Sequence, residues 1–259
     1  MLSLQEIQTV YPEHLKNKGR FILREYLQYK ILEIIYNSEF ASQLIFLGGT
    51  CLRIVHGNER FSEDLDFDNI GMSEPAFEEI SGIIAQKLKL EGLEVELKTV
   101  YKGAYHCHIK LPGILFTTGL SGYAEEKILI QLDTEPQNYD FTPDKPILNK
   151  FDVFTQILTV PLSLLLSQKF HTVLNRPRNK GRDFLDIVFI LSKSVKPDYE
   201  YLALKQGIVN SEALKSRIIQ HCNTIDLMEM AKDVEPFLFK PNDVQKVLLF
   251  KEIIESANL

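Results

Sequence analysis

The chain has 259 residues, 45% hydrophobic and 25% charged, an ordinary globular composition long enough for one large domain or two modest ones. A formal net charge of −6 argues against a protein that coats nucleic acid indiscriminately, since that requires neutralising many phosphates, but it leaves room for a local basic patch. No run of about 18 apolar residues occurs, so no membrane span is expected; residues 1–6 lack the pattern of a secretory leader, and Cys51, Cys107 and Cys222, far apart and without a CxxC pair, fit a reducing cytoplasm.

In chain order, residues 3–18 read as a short helix with a turn around Pro12. A longer helical pattern covers about 19–40, where Phe21, Ile22, Tyr26, Tyr29, Leu32, Ile35 and Tyr36 recur at three- and four-residue spacing. Leu44-Ile45-Phe46-Leu47 is a short apolar run broken by Gly48-Gly49, the pattern of a buried strand ending in a tight turn, with a helix from Thr50 to about Val55. Residues 62–68 alternate, Leu65 and Phe67 on one side and Asp64, Asp66 and Asp68 on the other, as in a half-buried strand with a polar face. A helix at about 74–91 is followed by strand-like runs at 94–101, 105–111 and 126–133, then by a connector at 134–150 carrying Pro136, Pro143 and Pro146. From about 160 the pattern is helical, with candidate helices at 161–175, 181–193, 198–206, 210–220, 224–233 and 241–256. The expected fold class is α+β, with a mixed α/β domain over 1–150 and an all-helical domain over 151–259.

The segment 46–67 carries the chemistry. Asp64 and Asp66 stand two apart on an expected strand, so both side chains leave one face. Two such carboxylates repel unless a cation lies between them, and Mg²⁺ is bound in this way, through one or two carboxylates plus substrate phosphates. An isolated DxD is more often a solvated strand edge. Here it follows Gly48-Gly49-Thr50 within 20 residues. Glycines between a strand and a helix let the backbone approach a ligand closely, and the helix start favours phosphate. A tight turn with Thr50 as N-cap would need no ligand, so the order of the two motifs, rather than either alone, is the signal.

Lys169, Arg176, Arg178, Lys180 and Arg182 fall within 14 residues with no acid among them, a local excess of positive charge suited to a nucleotide or an RNA backbone. A solvated helix end would also explain such cations. Asp183 and Asp186 follow at the start of an amphipathic helix, where Asp183 is either a helix-stabilising acid or a partner for Arg182, and Asp186 is placed to orient Lys169. His106 and His108 flank Cys107 on a probable strand with no further ligand nearby, and read as exposed or hydrogen-bonded strand histidines. HExxH, GxSxG and Walker A patterns are absent.

Gly48-Gly49-Thr50, the Arg60/Ser62/Asp64/Asp66 cluster and the run from Lys169 to Lys180-Gly-Arg-Asp-Phe-Leu-Asp186 together resemble the AbiEii/AbiGii toxin family of nucleotidyltransferases, within the polymerase-β-like superfamily. These are toxin halves of bacterial type IV toxin–antitoxin or abortive-infection systems, and the MenT toxins resemble them. The motifs occur in order over about residues 46–190. The resemblance implies a nucleotidyltransferase-like mixed sheet followed by a helical domain. It makes Asp64 and Asp66 metal ligands for Mg²⁺ or Mn²⁺, and Gly48, Gly49 and Thr50 the lining of the triphosphate site. Ser62 stands where some members carry a phosphoacceptor serine, Arg60 and Arg182 would flank the nucleotide, Lys169 would contact its phosphates, and Asp186 matches the later acidic motif. A third carboxylate is expected from a neighbouring strand, with Asp133 the candidate by position; it could equally be a strand-terminating turn residue.

The activity expected is transfer of a nucleotidyl group from an NTP to an acceptor, plausibly the tRNA 3′ end, by a cytoplasmic toxin with a cognate antitoxin encoded nearby. A silent nucleotide- or RNA-binding module and a small-molecule transferase of the antibiotic-modifying kind are the alternatives.

Overall fold

A computed structural model describes residues 1–259. The chain divides into two compact units, one made of Met1–Cys51 and Phe61–Thr159, the other of Leu52–Arg60 and Val160–Leu259.

The first unit is built on a five-stranded sheet. Its strands are β1 (Leu44–Leu47), β2 (Leu65–Asn69), β3 (Glu96–Lys102), β4 (Ala104–Pro112) and β5 (Lys127–Glu135), in the order β1-β2-β5-β4-β3. Only the β2–β5 pair is parallel; the other neighbours run antiparallel. Alternation decides which face is covered. Ile128, Ile130, Leu132 and Thr134 of β5 are buried, as are Cys107, Ile109 and Leu111 of β4, while the residues between them stay at least partly exposed. Two long helices complete this core, α2 (Gly19–Tyr36) and α4 (Glu74–Leu90), after a short α1 (Leu4–Gln8) closed by a Ser3/Glu6 capping box. α2 is buried nearly all round, including Glu25 and Gln28, so its packing exceeds the one-sided stripe of a surface helix. Ser73 caps α4 by accepting from the Ala76 N–H.

Several expected elements shift. The 13–18 region is a 3₁₀ turn rather than part of a helix. The helix after β1, α3 (Gly48–Ile54), begins at the glycines themselves. β2 starts only at Leu65, so Asp64 lies just ahead of it, and Asp68 is buried, accepting from the Gln137 N–H at 2.8 Å instead of facing water. A single helical turn, α5 (Ile114–Thr117), lies between β4 and β5, and a hairpin of β6 (Ile147–Lys150) and β7 (Val153–Gln156) begins within the stretch read as a connector. Thr159, bridged to Phe46 and Asp144, ties this hairpin's end into the first unit, which moves the division from 150 to 159/160.

The second unit is helical: α6 (Leu162–Asn175), α7 (Gly181–Leu191), α8 (Tyr199–Gln206), α9 (Ser211–Cys222), α10 (Leu227–Val234), α11 (Gln245–Leu248) and α12 (Phe250–Ser256). Asp198, Asn210 and Asp226 cap α8, α9 and α10 with side-chain oxygens. The helix expected over 241–256 breaks into a 3₁₀ turn at Pro241–Val244, α11 and α12. α7 is central: Phe184, Leu185, Ile187, Val188 and Ile190 are buried, and α6, α10 and α11 pack against it. Asp183 and Asp186 are buried on the same helix, which is unusual for carboxylates unless they are paired.

Candidate functional site

In the first unit the DxD segment is clamped from three sides. Gln28 of α2, 1% exposed, donates to the carbonyls of Ser62 (3.2 Å) and Glu63 (2.9 Å), and Arg24 pairs with Glu63 at 2.8 Å. Thr50, wholly buried, donates its hydroxyl to the Asp64 carbonyl. That side chain therefore secures the strand entering β2. Gly48 has φ +81°, and a Cβ there would fall inside the Asp66 carboxylate at Oδ2. Glycine is required at 48 both for its backbone angle and for the close approach of Asp66.

Sheet register places the carboxylates. Asp66 is the direct partner of Asp133 across the parallel β2–β5 pair, so the two side chains leave the same face one strand apart, roughly 4.8 Å in the hydrogen-bonding direction. Asp133 is in turn opposite His106 of β4. The His106 Nδ1 lies 2.7 Å from Asp133 Oδ1, and Gln131 donates its side-chain N–H groups to Oδ1 (3.0 Å) and Oδ2 (2.8 Å) of the same carboxylate. Leu47, Asp66, Asp133 and His106 thus form one row across the sheet. No three His, Cys, Asp or Glu side chains gather closely enough to form a preformed metal cage. Two carboxylates completed by substrate oxygens is the mode Mg²⁺ adopts with nucleotides, and Asp64 and Asp66 offer that donor set.

The later motif lies in the second unit. Asp186 is completely buried and takes a two-pronged contact from Arg60, Nε to Oδ1 and Nη2 to Oδ2, each 2.7 Å. Asn58 donates to Oδ1 at 2.9 Å, and the Lys169 ammonium lies 2.8 Å from Oδ2. Lys169 also donates to Asp183 Oδ1 at 2.8 Å, and Arg176 pairs with the other oxygen of Asp183. Burial disfavours the Lys169 ammonium, but Asp183 and Asp186 outweigh it and raise its pKa above the ordinary lysine value. Burial likewise disfavours the Asp186 carboxylate, and Arg60 and Lys169 outweigh it, holding its pKa below the ordinary aspartate value. Each of the two carboxylates is thus held between two cations, with Lys169 common to both.

These placements revise several expectations. Asp186 does sit on Lys169. Arg60, read as a nucleotide contact, is 1% exposed and spends two guanidinium nitrogens on Asp186. Arg182 stacks over Phe237, 4.6 Å from the ring centre, rather than pairing with Asp183, whose partners are Lys169 and Arg176. Arg178 and Lys180 line a cleft of about 240 Å³ with Asn179, Glu229, Met230 and Asp233. His106 is a hydrogen-bonded strand histidine, as its pattern suggests, but its partner 27 residues away, like that of Asn58 at 128, is set only by strand register or helix packing, and Gln131 carries no motif to mark it.

The family model for the nucleotidyl transferase AbiEii toxin of type IV toxin–antitoxin systems matches residues 30–247. Two Helicobacter pylori crystal structures share the fold. JHP933 has a TM-score of 0.55 at 14% identity, over 90% of this chain and 91% of its own. A second H. pylori crystal structure, described as that of a nucleotidyltransferase, has a TM-score of 0.54 at 15% identity, over 90% and 93%. No curated protein matches the chain in sequence. The motif order, the mixed sheet bearing Asp66 and the family match over most of the length agree: the chain belongs to the AbiEii family of nucleotidyl transferase toxins of type IV toxin–antitoxin systems.

Proposed function

We propose that the chain transfers a nucleotidyl group from an NTP to an acceptor hydroxyl, with the tRNA 3′ end as acceptor and Asp64 and Asp66 holding Mg²⁺ or Mn²⁺. The observation that carries this reading is the packing of the Asp66 carboxylate against the bare backbone of Gly48, one strand from Asp133. A divalent ion bound there would neutralise charge on the α-phosphate and lower the pKa of the attacking hydroxyl.

The chain's own residues do the rest. Gly48 and Gly49 open the backbone toward the phosphates, and the Thr50 hydroxyl fixes the Asp64 carbonyl, so the two aspartates keep their spacing. The acceptor oxygen forms a bond to the α-phosphorus as the bond to the bridging oxygen breaks, and pyrophosphate leaves. The proton of the acceptor hydroxyl passes to a carboxylate of this face or to water. In the helical unit, Lys169 is held charged between Asp183 and Asp186, and a fixed ammonium of this kind suits phosphate. Transfer to tRNA would block aminoacylation and arrest growth until the cognate antitoxin intervenes.

The test is incubation with total bacterial tRNA, Mg²⁺ and each α-³²P-labelled NTP, beside Asp66→Asn and Lys169→Ala. Label on tRNA from one NTP, reduced at least about 100-fold in Asp66→Asn, is the expected result. Label on the protein alone would replace tRNA with a protein acceptor, and no label with any NTP would overturn the transferase reading.

A further inference from the structure

The row across the sheet contains a residue that no motif assigns. His106 lies two strands from Asp66 and hydrogen-bonds Asp133 from β4, the neighbour of β5 on the side away from β2. An ionised carboxylate can only accept, so the Nδ1 of His106 carries the hydrogen and donates it. Gln131, two residues before Asp133 on β5 and therefore on the same face, donates to both oxygens. Each carboxylate oxygen has two acceptor positions. Oδ1 receives both His106 and Gln131, whereas Oδ2 receives Gln131 alone.

This asymmetry has a chemical use. A carboxylate free to rotate presents either oxygen at any angle, and one gripped at Oδ1 presents a single oxygen in a fixed direction. The geometry points to His106 as a positioning residue for nucleotidyl transfer: with Gln131 it immobilises Asp133, so that Oδ2 alone faces the acceptor or the ion beside Asp66. A histidine is suited to this place because its ring is rigid and reaches across one strand spacing. His106 and Asp133 are both only partly exposed, with side-chain exposures of 30% and 25%, so water competes incompletely for the contact. The inference rests on the carboxylate-site reading given above.

Two variants separate the role from simple stability. His106→Leu removes the donor, and His106→Asn returns an N–H close to the position of Nδ1. In the transfer assay, His106→Leu is expected to lower kcat about 10- to 100-fold, the range for residues that orient a ligand group, with KM for NTP and the melting temperature nearly unchanged. His106→Asn should recover most of that loss. In an Asp133→Ala background, His106→Leu should cost nothing further, because the acceptor of its hydrogen bond is gone. In parallel, Mn²⁺ titrated into the unmodified protein should broaden the His106 ring signals in NMR spectra, and Asp66→Asn should abolish the broadening.

Wild-type kcat in His106→Leu, or an equal loss with and without Asp133, would overturn the positioning role even where broadening shows the ion to be present. Absence of both broadening and transfer in the unmodified protein would instead remove the site reading on which the inference stands.

Discussion

Asp186 is wholly enclosed in the helical unit, with Arg60, Lys169 and Asn58 supplying its donors. Such an assembly need not stabilise the fold relative to a well-packed apolar one, because desolvating the charges offsets most of their attraction. Breaking it is another matter. Asp186→Asn leaves Arg60 and Lys169 facing a neutral amide and is expected to cost about 3–5 kcal/mol, read as a lower urea midpoint. The pH dependence has a definite sign. With its pKa held below the ordinary 3.8, Asp186 contributes stability that is present above that value and lost as pH falls through its lower folded pKa. Lys169, raised above 10.5, contributes stability that is full below that value and lost as pH rises past its folded pKa. The gap between wild type and Asp186→Asn should therefore be widest between about pH 5 and 9 and shrink on strong acidification. A gap of constant size down to pH 2 would contradict this. The sequence allowed Asp186 to be matched with Lys169 because both lie in one short stretch of helices. The pairing of Arg60 with Asp186 is not legible in the sequence, because the two lie 126 residues apart and nothing local marks an arginine that grips a buried carboxylate.

At the level of elements, two glycines are set by what their neighbours need. Gly48 starts α3 at φ +81° with Asp66 pressed against it. Gly48→Ala should cost about 1–3 kcal/mol through backbone strain and should also displace the carboxylate, so transfer should fall toward that of Asp66→Asn. Gly181, at the first residue of α7, lets that helix meet the Met230 carbonyl of α10, and a Cβ would overlap the backbone there. Backbone cannot rotate away, so Gly181→Ala should destabilise the helical unit by about 1–3 kcal/mol, measurable by thermal melting. A melting temperature equal to wild type would show that α7 and α10 can separate freely. The first glycine was legible as a strand-to-helix turn. The second is legible only as the start of a candidate helix, since the constraint comes from a helix 49 positions later. The β6–β7 hairpin was invisible for a related reason: its strands are four residues each, too short for alternation to register, and they follow three prolines.

For the whole molecule, the path of the chain matters more than the order of its domains. Composition changes once, from mixed to helical, and a single boundary in the proline-bearing connector is what a linear reading yields. The compact units are not linear. Leu52–Arg60 belongs with the helical unit although β2 and the rest of the sheet follow it in sequence. Within that unit Arg60 bridges to Leu238, the Phe239 N–H donates to the Glu59 carbonyl at 3.1 Å, and Lys240 pairs with Glu59 at 2.6 Å. Arg53 stacks on Phe239, 4.4 Å from the ring centre. The segment thus supplies two of the three donors to Asp186 and a strip of backbone pairing for the 238–240 turn. A fragment covering residues 160–259 keeps every helix from α6 to α12 but leaves Asp186 buried with Lys169 as its sole partner. Its expected behaviour is the loss of a cooperative melt and of dispersed amide signals, despite helical circular dichroism, as loosely packed states show. Joining residues 52–60 to that fragment through a flexible linker should restore cooperativity, whereas the same segment carrying Arg60→Ala should not. A fragment 160–259 that melts cooperatively by itself would show that the helices alone can accommodate Asp186.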